Sequence, residues 1–385
     1  MKLPLYLDFN ATTPVDPRVL ERMLPYFSEH YGNASSAAHA FGWTAAEAVA
    51  QAREELAALL GAEPEALIFT SGATEAINMA VKGVAEVYAP KGRHVVTVAT
   101  EHKAVLGAFR ALERRGFTVT TLPVGPDGRV TPEAVVEVMT DETILVAAMW
   151  ANNETGVLHP VDEIGAAVRA RGALFLCDAT QAAGKVPVSV ENVDLLACSA
   201  HKFYGPKGVG ALYVQRRRPR VRLVPLLDGG GQEGGLRGST LNVPGIVGMG
   251  AAAALAREAL PEEARRLRAL RDRMEAAFLE AFPGVRVNGR AAPRLPQTAN
   301  VTFPGLRADR LMTRLRALAL SPGSACSSGA GRPSHVLKAL GLSDEDAAAT
   351  LRFSLGRFTT EEEVDFAIRA VREAVEALRE ESVEA

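Results

Sequence analysis

Short apolar runs bounded by polar or glycine-containing turns recur through the middle of the chain. They are Leu67–Thr70, Val95–Ala99, Thr118–Leu122, Ile144–Met149, Ala173–Cys177, Leu195–Ser199 and Gly210–Val214. Runs this short and this uniformly apolar predict strands buried on both faces. Ala-rich segments of helical period, such as Thr131–Met139 and Val161–Arg169, separate several of them. Such alternation predicts an α/β fold whose mostly parallel seven-stranded sheet is sandwiched by helices. Ligands of such sheets bind beyond the carboxyl ends of the strands.

Around Pro261 the pattern changes to a long amphipathic helix, with Leu267, Leu270, Met274 and Phe278 at spacings of three and four. Strand-like pieces follow at Val285–Val287, Ala299–Phe303 and Leu351–Ser354, interrupted by a Gly/Ser-rich stretch. A last helix opens on Thr360-x-x-Glu363, a capping box, and carries the apolar stripe Val364, Ile368, Val371, Val375 and Leu378. At 385 residues the chain exceeds the roughly 250–300 at which one core stops growing. The expected division is a large α/β domain over 16–260 and a smaller α+β domain formed by 1–15 and 261–385.

Charge adds mainly exclusions. A net charge of −2 gives no electrostatic case for nucleic acid or a membrane surface. The arginines at 216–218, with Arg220 and Arg222, read as a solvated hairpin. No uninterrupted apolar stretch reaches about 18 residues, so no membrane span is expected. The start, MKLPLYLDFNATTP, carries an acid and lacks a signal-peptide core, which points to the cytoplasm. Of the three cysteines, Cys177 and Cys198 end apolar runs and read as inert core residues. With no Cys-x-x-Cys pair and no His-rich cluster, neither a disulfide framework nor a metal site is expected.

Lysine is scarce, with eight against 35 arginines, so Lys202 at the end of the Leu195–Ser199 run wants a reason. Desolvation lowers an amine's pKa and makes it a nucleophile toward an aldehyde, although a surface lysine in a turn would have the same neighbours in sequence. Phe69–Ala76 runs from a strand through Ser71–Gly72 into a helix. Its first N–H groups, with the Thr74 hydroxyl, suit a phosphate as well as they suit an ordinary helix start. Asp178 emerges from the Ala173–Cys177 strand. It suits the protonated ring nitrogen of pyridoxal phosphate, or equally the cap of the next helix. If Asp178 holds that ring, Gln181, three residues on, could hydrogen-bond its phenolic oxygen.

Ser321-P-G-S-A-Cys326-S-S-G-A-G-R-Pro333 places the third cysteine among glycines and serines, where a core role is hard to sustain and a nucleophile is the natural reading. Arg352, in the strand-like piece downstream, has the planar fork that captures a carboxylate, or that closes a plain strand-end salt bridge.

In order along the chain stand YLDFNATTP (Tyr6–Pro14), Thr70–Ala76, Glu101–His102, NNETG (Asn152–Gly156), Asp178–Gly184, Ser199–Gly210, GGGQE (Gly229–Glu233), Ser324–Ser327 and RFSLGRFTT (Arg352–Thr360). The series resembles the cysteine desulfurases of the iron–sulfur-cluster and nitrogen-fixation group, which are fold-type-I pyridoxal-phosphate enzymes. The resemblance implies pyridoxal 5'-phosphate held covalently by Lys202, with His102 stacked on its ring and shuttling a proton. It also implies Asp178 on the ring nitrogen, with Gln181 and Asn153 on the ring-oxygen side. The phosphate would be held by the Ala73 backbone, Thr74, Ser199 and His201, and by Thr240 from a neighbouring subunit, hence a homodimer with shared sites. Asn153 and Arg352 would bind the substrate. The implied reaction takes sulfur from L-cysteine, leaving L-alanine and a persulfide on Cys326 for a scaffold or thiol-carrier protein. A selenocysteine lyase or another β-elimination lyase is the alternative. Ala34, Phe9 and the Gly238–Ser239 order depart from the pattern, and the last puts Thr240 in question.

Overall fold

The computed structural model describes residues 2–217, 220–322 and 333–384. The seven expected strands all form. With β1 at Leu5–Tyr6, they are β2 (Leu67–Thr70), β3 (His94–Val98), β4 (Thr118–Leu122), β5 (Thr143–Ala147), β6 (Leu174–Asp178), β7 (Leu195–Ser199) and β8 (Gly210–Val214), several displaced by one residue from the sequence expectation. They build one sheet of order β2-β8-β7-β6-β5-β3-β4, parallel except that β8 runs antiparallel to both its neighbours. All but the edge strand β4 are wholly buried, which is why their sequences lack polar alternation.

Successive residues feed opposite cores. On β6, Phe175 and Cys177 join the helices Ala40–Leu60 and Val243–Ala281 on one face. Leu174 and Leu176 join the helices Ala73–Tyr88 and Lys103–Glu113 on the other.

A third core lies around a four-stranded antiparallel sheet of order β12-β13-β10-β9, formed by β9 (Arg286–Val287), β10 (Thr298–Thr302), β12 (Ser321–Pro322) and β13 (Thr350–Ser354). The N-terminal strand β1 pairs parallel with β11 (Leu318–Ala319), so Leu5 and Leu7 enter this core with Leu318 and Leu320. The final helix, Glu361–Glu384, seals it with Val364, Ile368, Val371, Val375 and Leu378. Its expected capping box forms: the Thr360 N–H donates to Glu363 Oε2 (3.0 Å) and the Glu363 N–H to Thr360 Oγ1 (3.2 Å).

The expected domain boundary after residue 260 falls within a helix. Val243–Ala281 runs 39 residues through Pro261, which sits on the exposed face and forfeits one backbone bond. Its first half packs Ile246, Val247 and Met249 into the large core, and its second half packs Leu267, Met274 and Phe278 into the small one. One rigid rod therefore ties both cores together. By length and composition an 18-residue window of this helix would also cross a membrane, yet 61% of it is buried inside the protein, as in a core helix.

Candidate active site

The carboxyl ends of β3, β5, β6 and β7 and the turn after β2 face a cavity of about 680 Å³, within the usual range for a small-molecule site. Lys202 closes a single 3₁₀ turn (Ala200–Lys202) that follows β7 directly, so its side chain rises from the sheet's end into that cavity. Its Nζ donates to the carbonyls of Asn10 and Ala11, each at 2.7 Å. Burial pulls the Lys202 amine down to about 8; the Arg352 cation adds to this, while Asp178 and Asp8 oppose it.

Both carbonyls belong to the N-terminal segment, which arrives from β1 and is strapped across the site. Asn10 Nδ2 donates to Thr298 Oγ1 (2.8 Å), and its backbone N–H to Ser354 Oγ (2.9 Å). Thr12 Oγ1 lies 3.0 Å from His201 Nδ1. Asn10, Ala11 and Thr12 all line the cavity, yet they were not among the expected site residues. The polar run Asn-Ala-Thr-Thr within an apolar N-terminus was the available signal.

At one end of the cavity, the helix Ala73–Tyr88 begins after Gly72 with no side-chain cap, leaving its first N–H groups free for an anion. The turn lies flat against the sheet: a Cβ on Gly210 would stand 2.6 Å from Gly72 Cα, so these two backbones touch only because position 210 is glycine. Ala73, Thr74, Ser199 and His201 converge here, with Lys207 on the same wall. Burial takes the His201 imidazole down to about 4, with Lys202 and Lys207 adding, so it is neutral at pH 7. Glu75, in the helix's first turn, is already taken by the Ser71 N–H (2.8 Å) and Arg237 Nε (2.9 Å), which leaves the anion position clear.

Mid-cavity stands Asp178, buried at the end of β6, its Oδ1 accepting the Thr180 N–H at 2.9 Å. The expected ring partner and helix cap are thus compatible, since one oxygen serves the turn. His102 caps the helix Lys103–Glu113 through Nδ1, which accepts the Ala104 N–H (3.1 Å), so in the neutral ring the proton sits on Nε2. Burial lowers its pKa, Asp178 opposes this, and Lys202 and His335 add to the lowering.

Gln181 and Asn153 line the opposite side. Gln181 Nε2 donates to the Asn10 carbonyl at 2.8 Å. Arg352, from β13, donates through Nη1 to the Asn153 carbonyl (2.9 Å) and through Nη2 to Asp8 Oδ1 (2.6 Å); its Nε is buried without a partner in the protein.

Ten expected residues thus meet in one cavity. Thr240 does not: it is exposed and lines no part of it. Cys326 lies outside the described residues. Anion donors at one end, a carboxylate in the middle and a desolvated amine opposite fit a phosphorylated heteroaromatic aldehyde. Among the described residues no cluster of metal ligands forms.

Known proteins agree with this chemistry. Residues 5–366 match the model of the family described as aminotransferase class-V. The chain belongs to the class-V aminotransferases. It is 56% identical over 384 residues to a cysteine desulfurase IscS of Anaeromyxobacter sp. (strain Fw109-5), covering 99% of this chain and 95% of that one. It is 50% identical to a cysteine desulfurase IscS of Methylococcus capsulatus, covering 99% and 94%. A solved NifS-like protein superposes with a TM-score of 0.89 at 39% identity, covering 97% of this chain and 99% of the other. The structure titled SspA in complex with cysteine gives 0.81 at 38% identity, covering 92% and 100%. As a class-V aminotransferase, the chain takes pyridoxal 5'-phosphate as its cofactor, and the residues of the cavity fit that group.

Proposed function

We propose that this chain is a cysteine desulfurase that converts L-cysteine to L-alanine and leaves the sulfur as a persulfide on Cys326. The observation that carries the reading is the desolvated amine of Lys202, facing Asp178 in one cavity with an open helix N-terminus, in a chain 56% identical to a named cysteine desulfurase.

Bound pyridoxal phosphate supplies an aldehyde for an amine and an electron-poor ring that stabilises charge at the substrate's α-carbon. Ala73, Thr74, Ser199 and His201 anchor its phosphate, and Asp178 keeps a negative charge beside the ring nitrogen. Arg352 takes the substrate carboxylate, with Asn153 beside it. Lys202, unprotonated above about pH 8, moves the α-proton. His102, neutral with its proton on Nε2, would stack on that ring once it is bound and relay a proton at the incoming thiol. The Cys326 thiolate then attacks the substrate sulfur: an S–S bond forms, the Cβ–S bond breaks, and the electron pair returns to the substrate carbon, which is protonated to alanine. The persulfide passes to a sulfur-acceptor protein.

Large hydrophobic side chains exposed near the N-terminus, Leu24 (55%), Phe27 (62%), Tyr31 (66%), Phe41 (51%) and Trp43 (59%), support a homodimer. In that dimer Thr240 would reach the neighbouring subunit's phosphate. The two cores support the division into a large and a small domain, joined through the helix Val243–Ala281. Cys177 and Cys198 are buried unpaired thiols, which suits a reducing compartment and supports the cytoplasm.

The test is Cys326→Ala with L-cysteine as substrate. The variant should stay yellow and form neither protein persulfide nor alanine. Full alanine output overturns the assignment, and pyruvate from the wild type would point to elimination instead.

A further inference from the structure

Behind Gln181, on the side away from the cavity, lies a second lysine, Lys185. Its Nζ donates to Gln181 Oε1 at 2.7 Å, and among the described residues it makes no ion pair. Burial holds this amine well below the ordinary lysine value, with Lys202 and Arg352 adding and Glu263 opposing. In a chain with eight lysines, a half-buried one held against a neutral amide, with no ion pair among the described residues, is costly enough to need a purpose.

The purpose is legible in the bonds around Asn10. Gln181 Nε2 donates to its carbonyl (2.8 Å), and Gln297 Nε2 to its Oδ1 (3.2 Å). Each amide therefore turns its N–H toward Asn10 and its Oε1 elsewhere. For Gln181, that oxygen meets Lys185. For Gln297, it is buried with no partner in the protein, while Gln297 and Lys185 line one small cavity of about 20 Å³ together with Thr13, Tyr204 and Glu263. That volume is enough for one water, which could accept from Lys185 and donate to Gln297 Oε1.

We propose that Lys185 is a positioning residue for the Lys202 amine. Directly through Gln181, and through one water to Gln297, it satisfies the two amide oxygens whose N–H groups hold Asn10, and Asn10 and Ala11 in turn hold Lys202 Nζ at 2.7 Å. Removing the amine leaves the Gln181 oxygen buried and unpaired, so the amide turns or the Asn10 segment shifts. Lys202 and the ring-oxygen side of the site lose their register together.

The inference rests on the pyridoxal-phosphate reading, so the wild type is measured first. Apo-protein that takes up no cofactor and gives no borohydride-fixed adduct overturns that reading. Given uptake, Lys185→Met is compared with the wild type by cofactor titration of the apo-protein and by the pH midpoint of the bound cofactor's visible absorption. The expected result is at least tenfold weaker cofactor binding and a midpoint moved by about half a pH unit or more, with Gln297→Leu showing a smaller change of the same sign. A Lys185→Met protein that melts lower but binds within twofold at the wild-type midpoint overturns the proposal, because a purely structural lysine would do just that. If Lys185→Met does not fold, Gln297→Leu decides by the same two readings, and no change in either overturns it.

Discussion

Arg352 and Asp8, 344 residues apart in the chain, meet at 2.6 Å across the seam between β13 and the N-terminal segment. The bond occupies Nη2, the Asn153 carbonyl occupies Nη1, and Nε stays unpartnered. A guanidinium held from two sides has its orientation set before any carboxylate arrives, so less side-chain freedom is lost on binding.

Arg352→Lys keeps the charge and discards the fork. A lost charge-assisted bidentate contact is worth roughly 1.5–3 kcal/mol. The KM for L-cysteine should therefore rise by about ten- to a hundredfold, with kcat changing less. Steady-state alanine formation measures both, and a KM within twofold of wild type would refute the carboxylate role.

The depressed Lys202 amine gives a pH prediction. Only the unprotonated amine attacks an aldehyde, and burial has brought its titration down to about 8 from 10.5. The rate at which apo-protein takes up pyridoxal phosphate should rise with pH and level off above about 8. An uptake rate still climbing steeply at pH 10 would show the amine to be an ordinary one. Lys202→Ala should lose the borohydride-fixed adduct altogether.

Strands buried on both faces were legible because their apolar runs are continuous, and the capping box at Thr360 announced the last helix. Lys202, Thr74 and Asp178 were legible beside a strand end or a glycine turn, whereas His102, Asn153, Ser199 and His201 came only through the resemblance of their motifs. Two things were not. Pro261 read as a break, since the sequence does not reveal that its missing N–H would fall on a solvated face of a 39-residue helix packed into two cores. The contribution of Asn10–Thr12 depends on a strap from β1 across the sheet, a contact nearly 200 residues long in sequence. Lys185 was hidden for the same reason: in sequence it follows Gly184 as an ordinary turn lysine, and only folding sets it against Gln181.

The reversed Gly238–Ser239 pair has a structural explanation and a cost. A Cβ at position 238 would stand 2.7 Å from Gly229 Cα, so glycine is required there. Ser239 is left at φ +130°, a conformation that suits glycine. Ser239→Gly should relieve that strain and stabilise the protein by about 1 kcal/mol, raising Tm by roughly 2 °C. Gly238→Ala should lower it. If both substitutions lower Tm equally in a thermal melt, the strain at Ser239 is not real.

Arg357 joins three separate segments. It donates from Nη1 to Asp16 Oδ2 and from Nε to Glu263 Oε2, both at 2.8 Å, and its guanidinium lies 4.2 Å from the Tyr204 ring centre. Arg18 and then Arg357 hold the Asp16 carboxyl well below the usual carboxylate range, against the opposing effect of burial. A carboxylate whose folded pKa is depressed contributes its stability in full above the unfolded value, near 3.9, and loses it as pH falls toward the folded one. Arg357→Met strips Glu263 of its ion pair and Asp16 of one of its two. With both acids left in low-dielectric surroundings, the cost at pH 7 should be about 3 kcal/mol. Because protonation removes the Asp16 carboxylate's need for a partner, the difference should shrink as pH falls below about 4 toward its depressed folded value. Thermal melts of both proteins at pH 7 and pH 3.5 measure this, and an equal Tm gap at the two pH values would mean that packing on Tyr204, not the ion pairs, is what Arg357 contributes.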